Sequence, residues 1–278
     1  MLKLAARQAG STRANGLEDM TVSMLLGEDG KQRDEMERMI HWIANHCKPD
    51  VIHLSNALLL GLAHKLKEKL NVPVFCSLQD ENVWVDVMRP KYREQVWNLM
   101  GEKAAWVDAF ISVSDYYAEL SKQRMNLPDE NVHTVYLGVD PEDYSYKSAS
   151  QKERTIGFIS RMSHENGLDI LVDAFILLKK KPGFDDVKLL VTGGYTGDDK
   201  KFLKAIHKKV SKNNLTDQVV FQEHFEGNDR LEFFEKVSVV SVPVRIGEAF
   251  GIYLTESMAS GIPVIQPALG AFPEIIRA

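Results

Sequence analysis

After a polar opening, apolar residues first fall at helical spacing at Met36, Met39, Ile40 and Ile43, and Pro49-Asp50 then lead into the short apolar run Val51 to Leu54. A helix followed by a strand is predicted. The alternation continues as a helix over 57–70, a strand over 74–78, a helix over 90–101 and a strand over 109–113. Ser114 or Asp115 suits the N-cap of the next helix, which runs to about Met125. Short, near-continuous apolar strands between amphipathic helices indicate a parallel sheet covered on both faces.

The polar, aperiodic stretch from Gly138 to Glu153 reads as a link between domains. The alternation then restarts, with strands expected over 155–159, 187–192, 219–222, 239–242 and 263–266 and helices between them. The expectation is therefore an α/β chain of two doubly wound, Rossmann-like domains, 1–145 and 146–278. Their strand carboxyl ends should face a shared cleft, where open α/β sheets bind ligands. The Lys179-Lys180-Lys181 run closes a predicted helix, where positive charge suits the dipole, and reads as a solvated helix end.

Composition narrows the function classes. The 278 residues are 44% hydrophobic and 26% charged, with a net charge of −5, so they hold enough apolar material for two cores and have no bulk attraction to polyanions. With no evident basic stripe, nucleic acid is not an expected partner. Cys47 and Cys76 lack metal-ligand spacing and read as buried free thiols. No apolar run reaches the roughly 20 residues of a membrane span, and the first 20 residues lack the apolar centre of a signal peptide. A cytoplasmic protein is expected. No basic amphipathic helix demands membrane contact, although peripheral attachment at the inner face of the membrane suits enzymes with lipid acceptors.

The segment PVRIGEAFGIYLTESMASGIP, Pro243 to Pro263, follows a predicted strand and opens a predicted helix. A glycine at such a point lets backbone N–H groups approach an anion, and the helix N-terminus carries about half a positive charge. A diphosphate suits this place. Glu248 and Glu256 flank it, and carboxylates accept hydrogen bonds from vicinal hydroxyls such as those of sugars and ribose. Gly193-Gly194, after another predicted strand, suggests a turn near a nucleotide but lacks the three spaced glycines of a dinucleotide site. His164-Glu165-Asn166 lacks a second histidine one turn later, so zinc is not expected. His53, Ser55 and Asn56 sit where a strand should end at the cleft, as any polar strand terminus does, while Trp84, Trp97, Tyr116 and Tyr117 read as packing.

The ordered set Glu248, Phe250, Gly251, Glu256, Met258, Ala259, Gly261, Pro263 and Val264 resembles the donor-binding signature of retaining glycosyltransferases of family 4, which have the GT-B fold. Further segments match in the family's order: KPDVIHLSNALLLG (48–61), VDAFISVSDYYAE (107–119), YLGVD (136–140), IGFISRMSHENGLDILVDAF (156–175) and GAFPEII (270–276). By this resemblance the chain is most of such an enzyme from about Thr21 onward, with both domains incomplete: the opening strand and glycine-rich loop are missing from the first and the last elements from the second. The resemblance implies that Arg161 binds the donor diphosphate and that Glu248 holds hydroxyls of the transferred sugar. Phe250 and Gly251 would offer backbone N–H groups, and Glu256 would take the ribose hydroxyls. Asn166, Gly167, Arg245 and Gly193 complete the implied donor site, and Gln79, Asp80 and Asn56 the acceptor side. The implied donor is a nucleoside-diphosphate sugar, the acceptor a saccharide or a lipid-linked one, and neither metal nor other cofactor is expected.

Two residues depart from the family pattern. Asn166 stands where relatives commonly carry Lys, which removes a cation from the diphosphate; Arg245 or His164 is expected to compensate. Gln79 stands where many relatives carry His, and glutamine cannot act as a general base. A front-face displacement, in which the departing phosphate takes the acceptor's proton, needs no protein base. The alternatives are a nucleotide-sugar epimerase or phosphorylase of the same fold, and a binding module without turnover. The sequence leaves the donor base, the sugar, the acceptor and the oligomeric state open.

Overall fold

The computed structural model describes residues 16–145, 152–222, 225 and 227–277. The described chain divides into two compact units, 16–136 and 137–277. Part of the expected link, residues 146–151, lies outside the described residues, as does most of the polar opening.

In the first unit, β1 (Ile52–Leu54), β2 (Val74–Leu78), β3 (Ala109–Ser112) and β4 (Val132–Thr134) form one parallel sheet in chain order. Val74, Cys76 and Leu78 are buried and alternate with half-buried neighbours, so β2 is central and packed on both faces. Helices α1 (Glu18–Leu26), α2 (Arg33–His46), α3 (Ala63–Leu70), α4 (Glu81–Val85), α5 (Pro90–Lys103) and α6 (Asp115–Met125) accompany it. Ser114 is the cap of α6, its hydroxyl accepting from Tyr117 N at 3.1 Å.

Several expectations are corrected here. The helix expected over 57–70 is a 3₁₀ turn, Ala57–Leu62, followed by α3, because the Asn56 side chain caps the chain at Leu58. The pattern did not reveal β4 or α1: β4 has only three residues, and α1 exposes Met20 and Met24 on its outer side. Cys76 is buried, but Cys47, at the exposed end of α2, is not.

In the second unit, β5 (Thr155–Ile159), β6 (Lys188–Thr192), β7 (Val219–Phe221) and β8 (Val239–Val240) form a parallel sheet ordered β7-β6-β5-β8. The strand expected over 263–266 is only a bridge, Val240 to Val264, since Pro263 cannot donate to a ladder. Helices α7 (Leu168–Leu178), α8 (Lys200–Lys212), α9 (Asn228–Lys236), α10 (Ile252–Ala259) and α11 (Phe272–Ile275) follow. Phe158, Phe175, Phe233, Phe234 and Phe272 fill the core between sheet and helices.

Lys179 is not a solvated helix end: its Nζ donates to the carbonyls of Phe184 (2.9 Å), Asp185 (2.5 Å) and Val187 (3.1 Å) and ties α7 to the entry of β6. Helix α8 carries six lysines and no acid, with Lys201, Lys204, Lys208 and Lys212 exposed, so the chain does hold a basic amphipathic helix. None of the helices in the described residues is long and apolar enough to cross a membrane.

Candidate functional site

Strand order decides where the second unit can bind a ligand. From β5 the chain moves to β6 and β7 on one side, and β8 returns to the other side of β5. The loops leaving the carboxyl ends of β5 and β8 therefore part in opposite directions and open a crevice between them. These loops are 160–167 and 241–251, which hold Arg161, Asn166, Gly167, Arg245, Glu248, Phe250 and Gly251.

The two loops are built against each other. Arg245 N donates to Glu165 O at 3.0 Å, and its guanidinium donates to the His164 carbonyl and, twice at 2.8 Å, to Asp169. Burial opposes ionisation of Asp169, but Arg245 outweighs it and holds the carboxyl below its ordinary range. Gly167, at φ +73, lies so close to Pro243 that a Cβ would collide with the Pro243 carbonyl oxygen. Gly193, at φ +121, likewise brings the turn after β6 against the Ser160 backbone. Asn166 is tied into its own loop, Nδ2 donating to Ser160 Oγ at 2.5 Å.

Arg161 points its Nε and Nη2 at the two oxygens of Asp199, both at 2.9 Å. Asp199 is 3% exposed and also accepts from Thr196 N and Oγ1, each at 2.8 Å. Burial opposes its charge, yet the hydrogen bonds from Arg161 and Thr196 prevail and lower its pKa, while Asp199 raises that of Arg161. The guanidinium is thus fixed and permanently charged, and Nη1 has no protein partner among the described residues.

Glu248 accepts from Tyr253 Oη at 3.0 Å, and its backbone carbonyl accepts from Ala271 N at 3.1 Å. Gly251, at φ +86, begins α10; Phe250 is 3% exposed, so its side chain belongs to the core and only its backbone can serve a ligand. Glu256, one turn into α10, is 5% exposed and holds Arg230 and Tyr144. The cations expected to replace the missing Lys are engaged: Arg245 pairs with Asp169, and His164 Nε2 lies 4.0 Å from the same carboxylate.

In the first unit, Asn56, Gln79 and Asp80 come together at the carboxyl ends of β1 and β2. With Leu58, Glu81 and Trp84 they line a hollow of about 260 Å³. Gln79 Nε2 donates to Ser55 O at 2.8 Å, and Asp80 adopts φ +59 at the start of α4. Below them Glu81, 3% exposed, accepts from Ala57 N (2.9 Å), Gln79 N (2.9 Å) and Tyr117 Oη (2.7 Å). One buried carboxylate thus fixes the backbone of both loops around the hollow.

Sequence reasoning missed Asp199, Asp169, Arg230, Tyr144, Tyr253 and Glu81. The spacing Thr196-x-x-Asp199 ahead of a helix is a capping-box pattern and was a usable signal for Asp199. The pairing of Arg230 with Glu256, 26 residues apart, leaves no local mark.

Comparison with known proteins settles the family. The family model for glycosyl transferases group 1 matches residues 140–278, half of the chain, and that for glycosyltransferase family 4 matches 24–143. The chain belongs to the group 1 glycosyltransferases. Among relatives, a lipopolysaccharide core biosynthesis mannosyltransferase of Rhizobium meliloti is 30% identical over 233 residues, 83% of this chain and 60% of that protein. A D-inositol 3-phosphate glycosyltransferase of Stackebrandtia nassauensis is 27% identical over 190 residues, 64% of this chain and 43% of that one. The chain thus spans about half the length of these curated relatives. Among solved structures, Anabaena HepE in complex with UDP-glucose shares 18% identity and a TM-score of 0.69, over 87% of this chain and 65% of that one. Sucrose-phosphate synthase from Thermosynechococcus elongatus shares 20% identity and a TM-score of 0.69, over 87% and 62%. These likenesses show the GT-B fold expected of this family, with two parallel-sheet α/β units.

Proposed function

We propose that this glycosyltransferase chain carries the donor site of an enzyme that moves a sugar from a nucleoside-diphosphate sugar to a saccharide or lipid-linked acceptor, with retention at the anomeric carbon. The observation that carries this reading is the crevice between the β5 and β8 loops, where a locked cation, Arg161, and the acid Glu248 lie on the two loops of one topological switch point, with Glu256 on the helix that follows.

In this reading Arg161 Nη1 binds the diphosphate, and Asp199 keeps the guanidinium oriented. Glu248 accepts from hydroxyls of the sugar, and Glu256 from those of the ribose. The bond from the anomeric carbon to the β-phosphate oxygen breaks, the acceptor oxygen bonds that carbon from the same face, and the released phosphate takes the acceptor's proton. Arg161 and the start of α10 stabilise the charge on the leaving phosphate, without a metal. The hollow lined by Asn56, Gln79 and Asp80 is proposed for the acceptor. A cytoplasmic location is retained, and the exposed lysines of α8 supply positive charge for contact with an anionic membrane face.

The test is to incubate the chain with UDP-, GDP- and ADP-glucose and -mannose and follow the anomeric proton by NMR. Transfer to an acceptor, or release of sugar first seen with the donor's anomeric configuration, is expected. Inverted product would overturn the retaining mechanism, and Glu248→Ala should lower the rate by roughly 10²-fold or more, the scale for losing one group that stabilises a transition state.

A further inference from the structure

Glu256 is proposed above as the acceptor of the ribose hydroxyls, and the inference below rests on that reading. Its surroundings are unusual for such a role. The carboxylate is 5% exposed, and a buried charged group needs polar partners. Arg230, on α9, supplies them by a two-point fork, Nε to Oε1 at 2.5 Å and Nη2 to Oε2. Tyr144 adds a third bond, Oη to Oε1 at 3.1 Å, and its ring stands edge-on to Phe234 with centroids 5.9 Å apart. Burial and the neighbouring Glu256 charge push the Tyr144 hydroxyl up to about 12, so it remains a donor at neutral pH.

The count of acceptor sites on the carboxylate then singles out one atom. A carboxylate offers about four lone-pair positions, two per oxygen. Arg230 and Tyr144 take both on Oε1, and Arg230 takes one on Oε2. Among the described residues the remaining position on Oε2 has no partner, and it is left for a hydroxyl of the ligand. We propose that Arg230, supported by Tyr144, is the positioning residue that holds Glu256 in a single orientation, so that Oε2 reads the ribose. Neither residue needs to touch the ligand. The planar fork of arginine is what fixes both oxygens at once, and a lysine in its place preserves charge without that geometry.

The experiment measures discrimination between ribose and its deoxygenated form. Binding of UDP, GDP and ADP, and of their 2′,3′-dideoxy counterparts, is measured by calorimetry for the wild-type chain and for Glu256→Ala, Arg230→Gln, Arg230→Lys and Tyr144→Phe. Thermal unfolding of each variant is followed in parallel. The wild type should prefer the ribonucleotide by roughly 10- to 100-fold, the value of a hydrogen bond to a charged group. Arg230→Gln should bring that ratio close to one, as Glu256→Ala does, and Arg230→Lys should leave it between. Tyr144→Phe should reduce it less, because the fork remains. If Arg230→Gln and Arg230→Lys weaken both ligands equally and keep the wild-type ratio, Arg230 is only structural and the inference is wrong while the ribose reading stands. If the wild type shows no preference, or binds none of the nucleotides, the ribose reading fails and the inference with it.

Discussion

Arg161→Ala is expected to weaken nucleoside-diphosphate binding and slow sugar transfer by roughly 10²- to 10³-fold, the scale for removing one preorganised donor from a developing charge. The reason is geometric as well as electrostatic. Asp199, buried and held by Thr196, occupies the Nε–Nη2 edge of the guanidinium and leaves Nη1 available to a phosphate. The other residues of the two loops are not expected to replace it, because Arg245 is engaged by Asp169 and Asn166 carries no charge. Asp199→Asn keeps the cation but loosens its orientation, so it should cost less binding than Arg161→Ala and lower turnover more than affinity. The pair also sets a pH limit. The folded-state pKa of Asp199 lies below its unfolded value, so its contribution to stability is present above the unfolded pKa and is lost as pH falls through the folded one. Titrating the binding of UDP, GDP and ADP to both variants checks the order of effects.

The largest expected stability effect lies in the other unit, at Glu81. Glu81→Ala leaves the N–H groups of Ala57 and Gln79 and the Tyr117 hydroxyl without their shared acceptor in a buried site. Each orphaned buried donor costs about 1–3 kcal/mol, and water entering from the adjoining hollow offsets part of this, so a loss of about 2–4 kcal/mol is expected. All four tryptophans, at 42, 84, 97 and 106, belong to this unit, so urea unfolding followed by tryptophan fluorescence reports on it selectively. Burial raises the Glu81 pKa, against the opposing pull of its three donors. The folded state then holds this proton more tightly than the unfolded chain, and stability should fall as pH rises from the ordinary carboxylate value through the raised one. Glu81→Gln, which cannot ionise, should remove that slope and cost less than Glu81→Ala, since its amide oxygen still accepts one bond. An unchanged slope in Glu81→Gln would assign the pH dependence to other groups.

The architecture was legible in the sequence because parallel strands buried on both faces write themselves as short apolar runs. Thr155–Ile159 and Val74–Leu78 are read at their true bounds for that reason. Short edge elements leave a weaker mark: Val132–Thr134 has three residues and half-exposed faces, and 263–266 looks apolar but begins with a proline that limits pairing. The positions of Arg161, Glu248 and Glu256 in the loops and helix of one switch point follow from the strand-loop-helix pattern. Their partners do not. Asp199, Arg230, Tyr144 and Glu81 act through contacts between segments distant in sequence, and a lone sequence encodes such pairs only through the fold. Cys47 and Lys179 show the same limit, since exposure and caging depend on neighbours that arrive from elsewhere in the chain.

The most direct test of the donor site is a calorimetric titration of the chain with UDP, GDP and ADP, repeated with Arg161→Ala. Saturable binding of one nucleotide to the wild type, lost in the variant while the variant is still folded at the temperature of the titration, is the result predicted by a diphosphate seated on Arg161 in the β5–β8 crevice. Binding that survives Arg161→Ala unchanged, or no binding of any of the three to a folded chain, would contradict it.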